Sequence, residues 1–245
     1  MDLLYLPYLD DTDVTEDSQM IVHCGLSKTF PVNPKFKLTY LNAKGSAEMS
    51  RMILAFAGIP FIDNRLSIIE WEVKKLDPKY GILPMLEFED QVVCHGASIA
   101  RFLAKKYGIY GKDPLEQALA DSVVDIIKDF SYSLKPYVES LMKIHIDSPR
   151  LQYLAKESLL KFGIPVVEKY LPILEEKSTN GNLHGFLLQS GISFADFAIA
   201  SFYETLQLIL PKSLLNYNNL GVVKEQVFAH PKLQQYLKIR KRTVL

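Results

Sequence analysis

The chain is poor in cysteine and tryptophan and has no excess of either charge. Of its 245 residues two are cysteine, Cys24 and Cys94, and one is tryptophan, Trp71. Two cysteines build neither a disulfide framework nor a cysteine-rich metal site, and their scarcity fits a reducing compartment. Lysine plus arginine equals aspartate plus glutamate at 28 each. That balance gives no reason to expect nucleic acid or an anionic membrane as the main partner. No apolar run approaches the ~18 residues of a transmembrane helix. The opening ten residues carry no basic segment, Pro7 and Asp10 interrupt their apolar stretch, and Asp11, Asp13, Glu16 and Asp17 follow. This does not read as a signal peptide. With no Asn-x-Ser/Thr sequon either, the expected location is cytoplasmic.

What is present is apolar patterning, with 48% hydrophobic residues. Residues 1–35 show no sustained periodicity and read as an N-terminal extension, partly disordered. From residue 36 the pattern sharpens. Phe36 to Leu41 alternates as a strand. Gly45-Ser46 opens a helix whose Met49, Met52, Ile53 and Phe56 share one face, and Gly58 stops it. Phe61 to Leu66 reads as a second strand, Ile69 to Lys75 as a short helical turn. Leu83 to Phe88 and Gln91 to Val93 read as a hairpin around Glu89-Asp90. Ala97 to Tyr107 is a helix ended by Gly108. Residues 36–108 therefore spell β-α-β, a helical turn, then β-β-α, which predicts one mixed sheet with a right-handed crossover. Residues 108–113 read as a linker. Beyond it lie helical stripes only: a long helix after Asp113-Pro114, a region from Pro149 to Lys177 bent at Pro165 and Pro172, a helix from Ser193, and a last one over Pro231 to Arg240.

The run Lys37-Leu-Thr-Tyr-Leu-Asn-Ala-Lys-Gly-Ser-Ala-Glu-Met-Ser-Arg51 resembles the opening of sigma-class glutathione transferases. Ala57 to Arg65, Glu70-Trp71 and Lys75 keep that family's spacing. Gly81-x-Leu83-Pro84-Met85-Leu86 is similar to its cis-proline strand, Ser98 to Leu103 to its third helix, and Ser193-Phe-Ala-Asp196 to its buried helix-capping signal. The resemblance covers about residues 36–245. It implies an α/β thioredoxin-like domain over 36–108, an all-helical domain over 109–245, and glutathione as co-substrate.

Glutathione transfer needs a thiolate, whereas a free thiol ionises near pH ~8.5. A hydroxyl aimed at the sulfur stabilises the anion. The resemblance gives Tyr40 that role; from base rates alone Tyr40 is a packed strand tyrosine. Leu83, before Pro84, would pair the glutathione backbone in the manner of an added strand, with Ile82 beside it. Pro84 is the natural site for a cis bond, the alternative being a trans proline at a sheet edge. Trp71 and Lys75 lie one helical turn apart and, by resemblance, hold the glycyl end; Lys75 is otherwise a solvated charge. The γ-glutamyl carboxylate would sit on the helix N-terminus at His95-Gly96, where free amides favour anions. By resemblance, Asp129 reaches the glutathione amino group across a homodimer interface. Tyr132, Leu134 and Tyr137 either line the pocket for the electrophile or belong to the core.

The pattern also departs from the family. Ser46 stands where the family commonly has Arg, Ile82 where it is often polar, and His95-Gly96 where it has Gln-Ser. Lys44 could supply the missing positive charge. Lys128 interrupts the acidic cluster that binds a divalent ion in related prostaglandin D synthases, so no metal is expected. The reading is a glutathione transferase acting on small hydrophobic electrophiles. A weak or inactive relative resembling the S-crystallins, or a glutathione-dependent prostaglandin isomerase, are the alternatives. A thioredoxin-type redox enzyme would need a cysteine at the first helix start, and none is there.

Overall fold

The computed structural model describes residues 19–22, 34–77, 81–142, 149–179 and 181–243. The expected partial disorder of the N-terminal extension concerns residues 1–18 and 23–33, which lie outside the described residues. Among the described residues the sheet has five strands: β1 (Gln19–Val22), β2 (Phe36–Leu41), β3 (Phe61–Leu66), β4 (Met85–Phe88) and β5 (Gln91–Cys94), in the order β1-β3-β2-β4-β5. β2 and β3 are parallel; the other pairs are antiparallel. Between β2 and β3 lies α1 (Glu48–Phe56), after β3 lies α2 (Ile68–Lys74), and after β5 lies α3 (Gly96–Lys106). The helical half comprises α4 (Pro114–Met142), α5 (Pro149–Ser158), α6 (Ile164–Thr179), α7 (Phe194–Ile209), α8 (Asn218–Ala229) and α9 (Gln234–Ile239). One continuous apolar core joins the two halves.

β1 corrects the sequence reading, which saw no element in the extension. Met20-Ile21-Val22 is too short to show a period, yet it suits a pleated edge. It pairs with β3, Val22 opposite Phe61, and Val22 is wholly buried while Ile21 faces out. The strand covers an edge that would otherwise present unpaired backbone groups. The sequence reading also lacked α8. Its apolar residues Leu220, Val223 and Val227 are buried, but Asn218-Asn219 and Gly221 at its start weaken the helical signal.

α1 is buried on every side from Glu48 to Ala55 because it lies between α3 and α7. Met52 and Ile53 have no exposed surface; burying each contributes about 1.5–3 kcal/mol. Phe56 meets Phe197 at 5.5 Å and His230 at 4.9 Å between ring centroids. A helix buried all round has nowhere to solvate its charges, so Glu48 and Arg51 must find partners inside. A five-residue π segment, Leu159–Gly163, joins α5 to α6 ahead of Pro165, and one such insertion is a recognised cause of a bend. At the start of α7 the Ser193 amide and hydroxyl both donate to Asp196 Oδ2 at 2.7 Å, and the Leu187 amide donates to Oδ1. These bonds tie the preceding loop to the helix. Burial nevertheless pushes the Asp196 carboxyl up to about 6, against the pull of those donors.

Candidate functional site

Strand register gathers the predicted residues at one end of the sheet. Thr39 pairs with Met85 on β4, so Pro84 lies one step on, beside Tyr40. Tyr40 itself pairs with Arg65 on β3, whose continuation leads through Ser67 into α2. Met85 pairs with Cys94 on β5, which brings His95 next to Pro84; the His95 amide donates to the Pro84 carbonyl at 3.0 Å. The Leu83–Pro84 bond is cis, as the sequence anticipated. Among the described residues no backbone group pairs with Leu83. Ile82, just before it, is half exposed.

The loop from Asn42 to Ala47 covers Tyr40. Gly45 there has φ +40°, and a Cβ on it would stand 2.6 Å from the Tyr40 hydroxyl oxygen. Glycine is required at this position on both counts. Arg51 fastens the loop by donating from Nη1 to the carbonyls of Ala43 at 2.9 Å and Lys44 at 3.2 Å. Its Nε pairs with Asp63 at 2.9 Å, and Arg65 pairs with the other Asp63 oxygen at 2.7 Å. Burial alone would raise the carboxyls of Glu48 and Asp63, but the surrounding arginines outweigh it and hold both below their ordinary range.

α3 begins against the same loop. His95 takes a left-handed backbone, φ +70°, and caps α3 without a side-chain bond; its side chain is exposed. Gly96 is buried against Ser46, and a Cβ there would collide with the Ser46 carbonyl oxygen. The first amides of α3 lack helical partners and carry the positive end of its dipole.

α2 contributes Trp71 and Lys75. A capping box starts the helix: Ser67 Oγ accepts from the Glu70 amide at 3.1 Å and Glu70 accepts from the Ser67 amide at 2.7 Å. The Ser-x-x-Glu spacing is a legible start signal. Trp71 Nε1 is buried without a hydrogen-bond partner, which is costly unless a ligand accepts from it. The Lys75 ammonium lies 5.3 Å from the Trp71 ring centroid and is paired with Glu72.

Other predicted residues fall elsewhere. Lys44 does not supply charge to the site: it is buried and its ammonium pairs with Glu204 of α7 at 3.0 Å. Leu134 and Tyr137 are core rather than pocket; the Tyr137 hydroxyl donates to the Ile209 carbonyl, and burial pushes it up to about 12. Tyr132, Lys128 and Asp129 are exposed on α4, as is the neighbouring Asp125. A cleft of about 410 Å³ near Asn182, His184, Asn219 and Gln226 contains none of the predicted residues. The sequence reading placed Gly45 at the helix start but not against Tyr40, and it missed the ionic set behind the loop; the i, i+3 spacing of Glu48 and Arg51 on an apolar helix was a visible sign of that set.

Residues 149–240 match the family model described as glutathione S-transferase, C-terminal domain. Glutathione S-transferase 1 of Ascaris suum is 30% identical over 211 residues, spanning 86% of this chain and 98% of that protein. The chain belongs to the glutathione S-transferase family. The hematopoietic prostaglandin D synthase of Gallus gallus is a further relative, 30% identical over 212 residues, covering 86% of this chain and 100% of that one. The crystal structure of the glutathione S-transferase from Ascaris lumbricoides superimposes with a TM-score of 0.76 at 29% identity, over 86% of this chain and 100% of that chain. In this transferase the share left uncovered is about the size of the segment preceding β2, which includes β1.

Proposed function

We propose that the protein transfers the glutathione thiolate to a small hydrophobic electrophile, with Tyr40 as the donor that stabilises the thiolate. The observation that carries this reading is the register that sets Tyr40, Leu83–Pro84 and the α3 N-terminus side by side. A peptide laid along Leu83 can pair as an added strand. Its γ-glutamyl carboxylate then reaches the free amides at Gly96, and its glycyl end reaches Trp71 Nε1 and Lys75. His95, beside Pro84, and Ile82 border the same groove. The sulfur, between these anchors, comes to the Tyr40 hydroxyl. A hydroxyl donor lowers the thiol pKa by stabilising the charged form, and holding both reactants converts the encounter into a unimolecular step. The sigma-like class rests on the quoted motifs alone. In a homodimer Asp129 would meet the glutathione ammonium from the partner. Isomerisation of a prostaglandin endoperoxide uses the same thiolate and is favoured as a second reading by the Gallus gallus relative.

Trp71, the one tryptophan in the chain, reports glutathione binding by fluorescence. The test is that titration together with conjugation of an aryl halide. The reading requires saturable binding and turnover; binding without turnover would instead mark a relative that kept the groove and lost the chemistry.

A further inference from the structure

Thr243, at the end of the described residues, is bonded to the loop that covers Tyr40. Lys44 immediately precedes Gly45. Its amide donates to Thr243 Oγ1 at 3.1 Å, and its ammonium donates to Glu204 Oε2 at 3.0 Å. The other Glu204 oxygen accepts from Arg240 at 2.6 Å, and Arg240 reaches Glu48 at 3.0 Å. Glu48 also accepts the Tyr236 hydroxyl at 2.9 Å and Arg51 at 3.2 Å. Arg51 closes the circuit on the carbonyls of Ala43 and Lys44. The loop is thus held at its carbonyls by α1, at the Lys44 amide by Thr243, and through the Lys44 side chain by Glu204 of α7.

We propose that Glu204, Arg240 and Thr243 are positioning residues for thiolate activation: through Lys44 they fix Gly45 over the Tyr40 hydroxyl. The inference rests on the reading of Tyr40 as the thiolate's donor. Gly45 has no side chain with which to anchor itself, and glycine is the freest residue of the backbone. Yet its Cα faces the Tyr40 ring so closely that an added Cβ would stand 2.6 Å from the hydroxyl oxygen. A movement of this loop therefore alters the room and the angle available to that hydroxyl. Hydrogen bonds weaken steeply as they bend, and a misplacement near ~1 Å can cost catalysis about a hundredfold. The restraints that set the position lie one residue back, on Lys44, and they come from residues remote in sequence.

The same groups could act through charge instead. Lys44, Arg51, Arg65 and Arg240 face Glu48, Asp63 and Glu204, four cations against three anions. The two explanations separate cleanly. Removing Arg240 deletes a positive charge and neutralising Glu204 deletes a negative one, but both loosen the hold on Lys44: the first releases the Glu204 carboxylate that pairs with it, the second weakens that pair itself. A field effect moves the thiol pKa in opposite directions; a positioning effect moves it upward in both.

The experiment uses the full chain with Arg240→Met, Glu204→Gln, Thr243→Val, the conservative Arg240→Lys, and Tyr40→Phe. The thiol of bound glutathione is titrated by the ultraviolet absorbance of its thiolate, and kcat and KM are measured with an aryl halide. Arg240→Met and Glu204→Gln are each expected to raise the thiol pKa by about half to one unit. They lower kcat about tenfold while KM for glutathione stays within about twofold. Thr243→Val shifts both in the same direction by less, and Arg240→Lys restores part of the loss. If Arg240→Met does not fold, Glu204→Gln and Thr243→Val decide. Opposite pKa shifts overturn the proposal in favour of the field; unchanged pKa and kcat with a lower melting temperature overturn it in favour of a structural tie. If Tyr40→Phe itself leaves the pKa unmoved, the reading of Tyr40 fails first. A Tyr40 effect with no effect at Glu204, Arg240 or Thr243 sinks this inference alone.

Discussion

Ser46 and Gly96 are in contact: a Cβ at Gly96 would collide with the Ser46 carbonyl oxygen and stand 2.9 Å from the Ser46 Cβ. Two of the positions where the chain departs from the resembled pattern therefore pack on each other. Restoring a serine with Gly96→Ser is expected to weaken glutathione binding rather than strengthen it. Overpacking of this kind costs about 1–3 kcal/mol. Ser46→Gly added to Gly96→Ser should not rescue it, because the carbonyl oxygen remains. Fluorescence titration of Trp71 gives the comparison; tighter binding by Gly96→Ser would contradict this packing.

Lys75 already has a carboxylate partner in Glu72. A glycyl carboxylate arriving at Lys75 competes with it. Glu72→Gln is expected to tighten glutathione binding about twofold, and Lys75→Met to weaken it about three- to tenfold, in line with ~1 kcal/mol for an exposed pair. The effect should fade in high salt. Equal affinity for wild type, Glu72→Gln and Lys75→Met would remove Lys75 from the site.

Acid should loosen the loop as Glu48 and Asp63 take up protons. Glu48 and Asp63 are held below their ordinary values of 4.5 and 3.8. The unfolded chain then binds protons more readily, so this stability is present above those values and lost as pH falls through the folded ones. Urea unfolding is expected to show a steep loss of stability below about pH 4. Glu48→Gln leaves buried arginines short of charge, costing about 3–5 kcal/mol at neutral pH. Its further loss on acidification should be smaller than that of wild type. An unchanged acid slope would mean Glu48 does not carry this linkage.

β1 is a stabilising edge and not part of the chemistry. Val22→Ala should cost about 1–2 kcal/mol in unfolding free energy, the usual range for trimming a buried aliphatic side chain. The pKa of bound glutathione should not move. No change in stability would mean that Val22 does not pack as the register with Phe61 implies.

Much of this was readable in one dimension. Phe36–Leu41 and Phe61–Leu66 were bounded correctly because their alternation and the flanking Gly58 and Pro60 are local signals. β4 was expected from Leu83 but begins at Met85, since the Leu83–Pro84 pair cannot join the ladder. Tyr40, Pro84, His95 and Gly96 were legible as residues, and the register then brought them together. What was not legible is long-range. Nothing local tells that Lys44 will pair with Glu204, 160 positions away, or that Thr243 will cap its amide. Nor could helical spacing tell Leu134 and Tyr137 apart as core from pocket lining, because both faces of α4 carry apolar residues.

The central claim is that the Tyr40 hydroxyl stabilises the thiolate of bound glutathione. The most direct test is the ultraviolet titration of that thiolate in wild type and Tyr40→Phe, at saturating glutathione. The wild-type complex should ionise at least about one unit below the ~8.5 of a free thiol, and Tyr40→Phe should return most of that shift with little change in affinity. Identical titration curves for the two proteins would contradict the account.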